Sequence, residues 1–373
     1  MTDEGTGRLE ARTPFTAVVM TLLVTLVCPL TGACGGNFAY YIPAAIGQLD
    51  LMLNSVPLSQ ALSSSSLSEE QLLKLELIRD VREYARNVIG LDVGDNFAMF
   101  YDSGGEAVAF NISASRKDAF EPKRWTFPIV GTLPYLGYFD STAADAKFDE
   151  LVDEGLDVYM YQIDAYSGLE YFPNLVLSPM LERSDISLVD TVIHELLHST
   201  IWRPNNTSFN ESLATFFGRT GALRFFADRY PDDPEFVEGV AQRFEDTDRY
   251  NDAMKVIYDE LDAFFSSDLT SEEKLAGREE VYQAGRDWFM AEVHPLMNQP
   301  DRFDWVANLP TNNAWMLGVR RYNLDLDVFE EVFAATGEDW AQSLYIFRAA
   351  ASESDPYAYL RSWLETITET PES

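Results

Sequence analysis

The sequence predicts a predominantly helical α+β protein, and three observations carry that expectation. From Leu188 onward, apolar residues recur at helical spacing over segments near 188–202, 208–227, 234–264, 271–295, 311–322, 338–350 and 357–367. Short runs rich in β-branched and aromatic residues are confined to the front half. The 373 residues, 46% of them hydrophobic, suffice for a sizeable core and exclude wholesale disorder. Residues 1–34 read as an export and anchor segment, 35–230 as a mixed region carrying the chemistry, and 231–373 as a helical C-terminal region.

Residues 15–30 form an uncharged, largely apolar run preceded by Arg8 and Arg12 and followed by small residues, the layout of a secretory signal. The run is short for a spanning helix, which needs roughly 20 apolar residues. Leu30-Thr31-Gly32-Ala33-Cys34 resembles a bacterial lipobox, although Thr31 stands where an aliphatic residue is preferred. A lipoprotein anchored through Cys34 is the first reading; cleaved soluble export and an uncleaved anchor are the others. Both cysteines, Cys28 and Cys34, fall here, so the mature body has no disulfide, no thiol catalysis and no thiolate metal ligand.

Within the body, Tyr40–Leu53 carries a helical apolar stripe that the polar stretch 55–66 breaks. A helix over Glu69–Ile89 is signalled by Ser68 with Gln71 as a capping box, by a Leu67–Leu72 staple and by Gly90 as its stop. Phe97–Tyr101 and Ala107–Ala114 flank Asp102-Ser103-Gly104-Gly105 and read as a β-hairpin. Strands are expected at Trp125–Val130 and Val158–Ile163, with a helix near Ala143–Glu154 between them.

The charge restricts the partners. Against 27 Lys+Arg stand 61 Asp+Glu, a formal −34, and such a surface repels a phosphate backbone, so a nucleic-acid partner is excluded. Only six of the basic residues are Lys, a balance that suits either a salty habitat or a device for solubility. No obligate protein partner is evident.

The chemistry sits in residues 194–198, His-Glu-Leu-Leu-His. Four residues apart on a helix, His194 and His198 share one face, so both imidazoles can reach one zinc ion at about 2.0–2.1 Å. Glu195 is offset to address a water on that ion. Ser187 with Asp190 can cap the helix, and Pro204 with Asn205 can end it. The competing reading is a buried helix whose histidines are hydrogen-bonded in the core. A second helix begins only about five residues later, and so short a link makes the two antiparallel neighbours. His198 lies about 6 Å before the end of the first helix and Glu211 about 4–5 Å into the second, nearly level, so Glu211 can complete a His₂Glu set. The alternative for Glu211 is a solvated first-turn glutamate favoured by the helix dipole. Gly218, costly in a helix interior, predicts that another element approaches closely there.

His194–His198 followed by Asn210-Glu211-Ser212-Leu213-Ala214-Thr215 resembles the gluzincin metallopeptidases. More closely, the chain resembles a family of bacterial exported proteins described as predicted aminopeptidases. That likeness spans most of the mature chain: Tyr40-Tyr41 with Gly47-Gln48-Leu49, Gly137-Tyr138-Phe139-Asp140, Ala165-Tyr166-Ser167, the hairpin through Gly218-Arg219 and Gly221-Ala222, and Asn312-Asn313-Ala314 with Tyr322. The resemblance implies a zincin-like fold, in which a small mixed sheet is backed by the hairpin and the helical C-terminal half closes the cleft. It implies one zinc ion on His194, His198 and Glu211, peptide as substrate, and hydrolysis with Glu195 as general base.

A developing oxyanion also wants a donor. Tyr322 and Tyr166 are candidates because the likeness extends around both, and His294 is the one remaining histidine. Asp190, one turn before His194, and Asn210 could each hold an imidazole N–H, although first-turn capping explains Asn210 equally well. Two other functions stay open: an endopeptidase of envelope or cell-wall substrates, and a non-catalytic envelope protein with a structural or relic metal hairpin.

Overall fold

The structure, a computed structural model, describes residues 46, 47, 49–127, 131–163, 173–204, 206–320 and 326–368. The expected export segment with Cys34, the Tyr40–Tyr41 pair, Tyr166 and Tyr322 lie outside them. Among the described residues no helix is long and apolar enough to cross a membrane.

The protein is mostly helical with small sheets. Helix α1, Glu69–Tyr84, begins with the expected capping box: Gln71 N–H donates to Ser68 Oγ and Ser68 N–H to Gln71 Oε1. A wider turn over Ala85–Ile89 extends it, and Gly90, at φ 87°, ends it. The hairpin expected over residues 97–114 does not form. Gly104 and Gly105 adopt left-handed conformations and turn the chain, but the flanking strands go to different sheets. Strand β2, Met99–Tyr101, lies between β1, Val56–Pro57, antiparallel to it, and β8, Val176–Leu177, parallel to it. Strand β3, Ala109–Ser115, is the centre of a second sheet between β6, Leu136–Tyr138, and β7, Asp157–Ile163. Phe100, buried in the main core, favours the remote partners over the adjacent strand. Trp125–Phe127 (β4) and Gly131–Leu133 (β5) make a small hairpin of their own. Helix α2, Ser141–Asp153, capped by Asp140, lays Ala144 and Leu151 on Ile112, Ala114 and Val158 of the second sheet.

Helices α3, Asp185–His198, and α4, Thr207–Arg229, form the antiparallel pair. Ser184, not Ser187, caps α3, because the helix starts three residues earlier than its apolar pattern; it also stops at His198, short of Pro204. Leu188, Val189, Val192, Ile193, Leu196 and Leu197 are buried on one face of α3. Helix α4 buries Phe209, Leu213, Phe216, Phe217 and Phe226 in the same core, while its Gly218 and Gly221 lie against Asp190 and Ile193 of α3. Helix α5, Pro234–Phe265, then joins two cores, with Val240 in the first and Ala253 to Phe265 in the second. The second core is completed by α6, Ser271–Trp288, by a 3₁₀ helix over Pro300–Asn308 carrying Phe303 and Val306, by the flanking Met297 and Leu309, and by α7, Asn313–Arg320. Helices α8 (Asp327–Ala335, which the sequence reading missed), α9 (Trp340–Ser352) and α10 (Pro356–Thr368) return to the first core. There Phe329, Phe347 and Tyr357 meet the rings of Phe216, Phe217 and Phe209 at centroid distances of 5.7–6.1 Å.

Candidate metal centre

The apolar face of α3 fixes its rotation, and that rotation turns His194, Glu195 and His198 away from the core. The two imidazoles stand one turn apart, ring centroids 4.9 Å from each other and nearly perpendicular. Glu211, in the second turn of α4, points at both: its Oε2 lies 3.3 Å from His194 Nε2 and 3.8 Å from His198 Nε2. The three side chains are 11–19% exposed, enclosed yet reachable by solvent. Among the described residues they form the group able to hold a metal ion, with one ligand atom from each and all three atoms within 4.8 Å of one another. Ligands tetrahedrally placed about 2.0–2.1 Å from zinc are separated by about 3.4 Å, so the two contacts to Glu211 are already close to what such an ion requires. Two nitrogens and one carboxylate are also donors of the chemistry that zinc accepts.

The electrostatics agree. Burial would push the His194 imidazolium toward neutrality, but Glu211, Glu195 and Asp190 outweigh it and raise its pKa. Burial also works against the Glu211 carboxylate, yet the two imidazoles hold its pKa well below the usual carboxylate range. The two shifts are reciprocal: the Glu211 carboxylate favours a positive partner at the imidazoles, and the imidazoles favour the ionised carboxylate. Two polar atoms beside it, Glu195 Oε2 and His198 Nδ1, are buried without a hydrogen-bond partner among the described residues.

The remaining sequence candidates divide. Asp190 sits where α3 meets α4: a Cβ at Gly218 would stand 2.9 Å from the Asp190 carbonyl oxygen and still closer to its carboxylate, which is the close approach that Gly218 predicts. Desolvation raises the Asp190 pKa, while His194, Arg219, Arg183 and Arg243 pull it down. Asn210 turns its amide to the link between the helices. Arg203 N–H donates to its Oδ1 and its Nδ2 donates to Arg203 O, both at 2.9 Å, so its amide is committed to backbone rather than to an imidazole. His294 is not part of the cluster; its Nε2 faces Asp304 Oδ1 at 2.8 Å beside the second core. The sequence reading overlooked Trp202, whose ring meets His198 edge-on at 5.6 Å. Its position four residues after His198 was the available signal, obscured because α3 ends between them.

No match was found among curated proteins or among solved structures. Residues 39–355 match the model of a family described as "Putative aminopeptidase". With that span covering most of the sequence and the whole of the α3–α4 hairpin, the chain belongs to this family.

Proposed function

We propose that the protein is a zinc-dependent exported peptidase that removes residues from peptide N-termini. The observation that carries this reading is the convergence of His194 Nε2, His198 Nε2 and a Glu211 carboxylate oxygen, with Glu195 Oε2, unpartnered among the described residues, beside them. A zinc ion held by these three side chains supplies Lewis-acid activation of water and of the scissile carbonyl. Glu195 takes the proton of the attacking water at its carboxylate and delivers it to the leaving amine. The apolar faces of α3 and α4 hold the ligands in place and keep bulk water out from behind them. Family membership supports aminopeptidase action, and the sequence resemblance supports a zincin-like arrangement of sheet and hairpin.

Glu195→Gln keeps the side-chain shape and removes the base. Hydrolysis of a peptide with a free amino terminus should fall by about 10²–10⁴-fold while one equivalent of zinc is retained. Undiminished turnover would exclude Glu195 as the base, and equal cleavage of N-terminally blocked peptides would replace the exopeptidase with an endopeptidase. The apolar run at 15–30 and Cys34 support an envelope lipoprotein on sequence grounds. Cys34→Ser should move the protein out of the membrane fraction; an unchanged distribution would rule out a lipid anchor at this cysteine.

A further inference from the structure

His198 is the last residue of α3, where a helix frays most easily, and Glu211 stands across an irregular link. A ligand pair at such a place needs holding from outside the helices. The link is gripped on two sides. Ser199 and Thr200 are tied to the segment before β2: Asn96 Nδ2 donates to Ser199 Oγ at 3.0 Å, and Asp92 N–H to Thr200 Oγ1 at 2.9 Å. On the other side stands Arg203. Its guanidinium donates to Ala351 O at 2.7 Å and to Ser354 O at 3.3 Å. Ala351 is in the last turn of α9, whose terminal carbonyls have no intrahelical donors and carry the negative end of the helix dipole. A guanidinium is the side chain suited to that end. The backbone of the same Arg203 is clasped by Asn210, the neighbour of Glu211, and its predecessor Trp202 lies against the ring of His198.

We propose that Arg203 is a positioning residue for the metal, through which the C-terminal helices set the separation of His198 and Glu211 and hence the affinity for zinc. This rests on the metal reading proposed above. Helix α10 reinforces the coupling from a second point, because Tyr357 packs on Phe209 two residues before Glu211. Removing the guanidinium leaves the end of α9 without its cation and frees the link to drift, which widens the ligand set without touching a ligand. Outer residues that orient metal ligands typically affect metal affinity by about 10–100-fold.

The experiment uses the full mature chain, wild type and Arg203→Met, titrated with zinc against a chromophoric chelator. The expected result is about 10–100-fold weaker zinc binding by the variant and faster zinc loss to excess chelator. A role confined to stability would lower the thermal midpoint of the metal-free chain and leave zinc affinity unchanged, and that outcome overturns the inference. Should Arg203→Met not fold, Arg203→Gln, which keeps a donor and most of the volume, is read in the same way. Wild-type protein that takes up no zinc would overturn the metal reading and this inference with it; equal affinity in wild type and variant overturns the inference alone.

Discussion

The two cores of this protein are held together by different means. Around the hairpin the fully buried residues are aliphatic, aromatic or uncharged polar, and the titratable ones, Asp190, His194 and Glu211, are only partly buried. The second core contains or borders all four of the charged residues buried among the described ones: Asp157, Asp246, Arg278 and Arg286. The reason lies in the backbone. Helices satisfy their own N–H and C=O groups, so α3, α4 and their neighbours can pack through side chains alone. The second core encloses short non-helical stretches at 297–299 and 309–312, on either side of a 3₁₀ helix over Pro300–Asn308, and their buried backbone groups need partners. Asp246 accepts from the N–H groups of Asn298 and Gln299, Arg286 donates to Leu309 O, and Arg278 to Lys117 O and Thr311 O. Asp157 completes the set, paired with Arg278 and accepting from Asn313 N–H. Charge substitutes here for regular secondary structure.

Breaking that arrangement should give the largest effect. Arg278→Met strands the Asp157 carboxylate and two carbonyls, and should cost about 3–5 kcal/mol in urea denaturation. Adding Asp157→Asn keeps an acceptor for Asn313 N–H and removes the stranded charge, so the double variant should recover roughly 1–2 kcal/mol. Strict additivity of the two substitutions would show that the pair is not what holds this core. On the apolar side, Gly218→Ala pushes a methyl against Asp190 and should cost about 1–3 kcal/mol. Gly239 on α5 has open space around it, so Gly239→Ala should be neutral or stabilise by up to about 1 kcal/mol. A like response at both glycines would mean that helix propensity, not contact between α3 and α4, governs residue 218.

What could be read from the sequence follows the same division. Helix limits set by local chemistry emerge directly: the Ser68–Gln71 box, Gly90 as a stop, and the short link that makes α3 and α4 antiparallel. The site emerges for the same reason, since His194, His198 and Glu211 lie within one hairpin and its geometry follows from helix rise. Strand pairing does not emerge. The turn at Gly104-Gly105 exists, but β2 takes its partners from residues 56–57 and 176–177, and no local pattern encodes a match across such separations. Helix α8 has its apolar pattern, Val328, Phe329, Val332 and Phe333, but is nine residues long and lacks a side-chain cap. Arg203 carries no motif at all; its meaning depends on a helix end almost 150 residues away.

The contact between Asp190 and Gly218 sets the smallest unit in which the proposed metal chemistry could be transplanted. A pentapeptide carrying both imidazoles, grafted onto a foreign helix, would arrive without the bare position that lets the second helix close in. The portable module is the whole stretch from Asp185 to Arg229, glycine included, because the carboxylate donor reaches the imidazoles only at the interaxial spacing which that missing side chain permits.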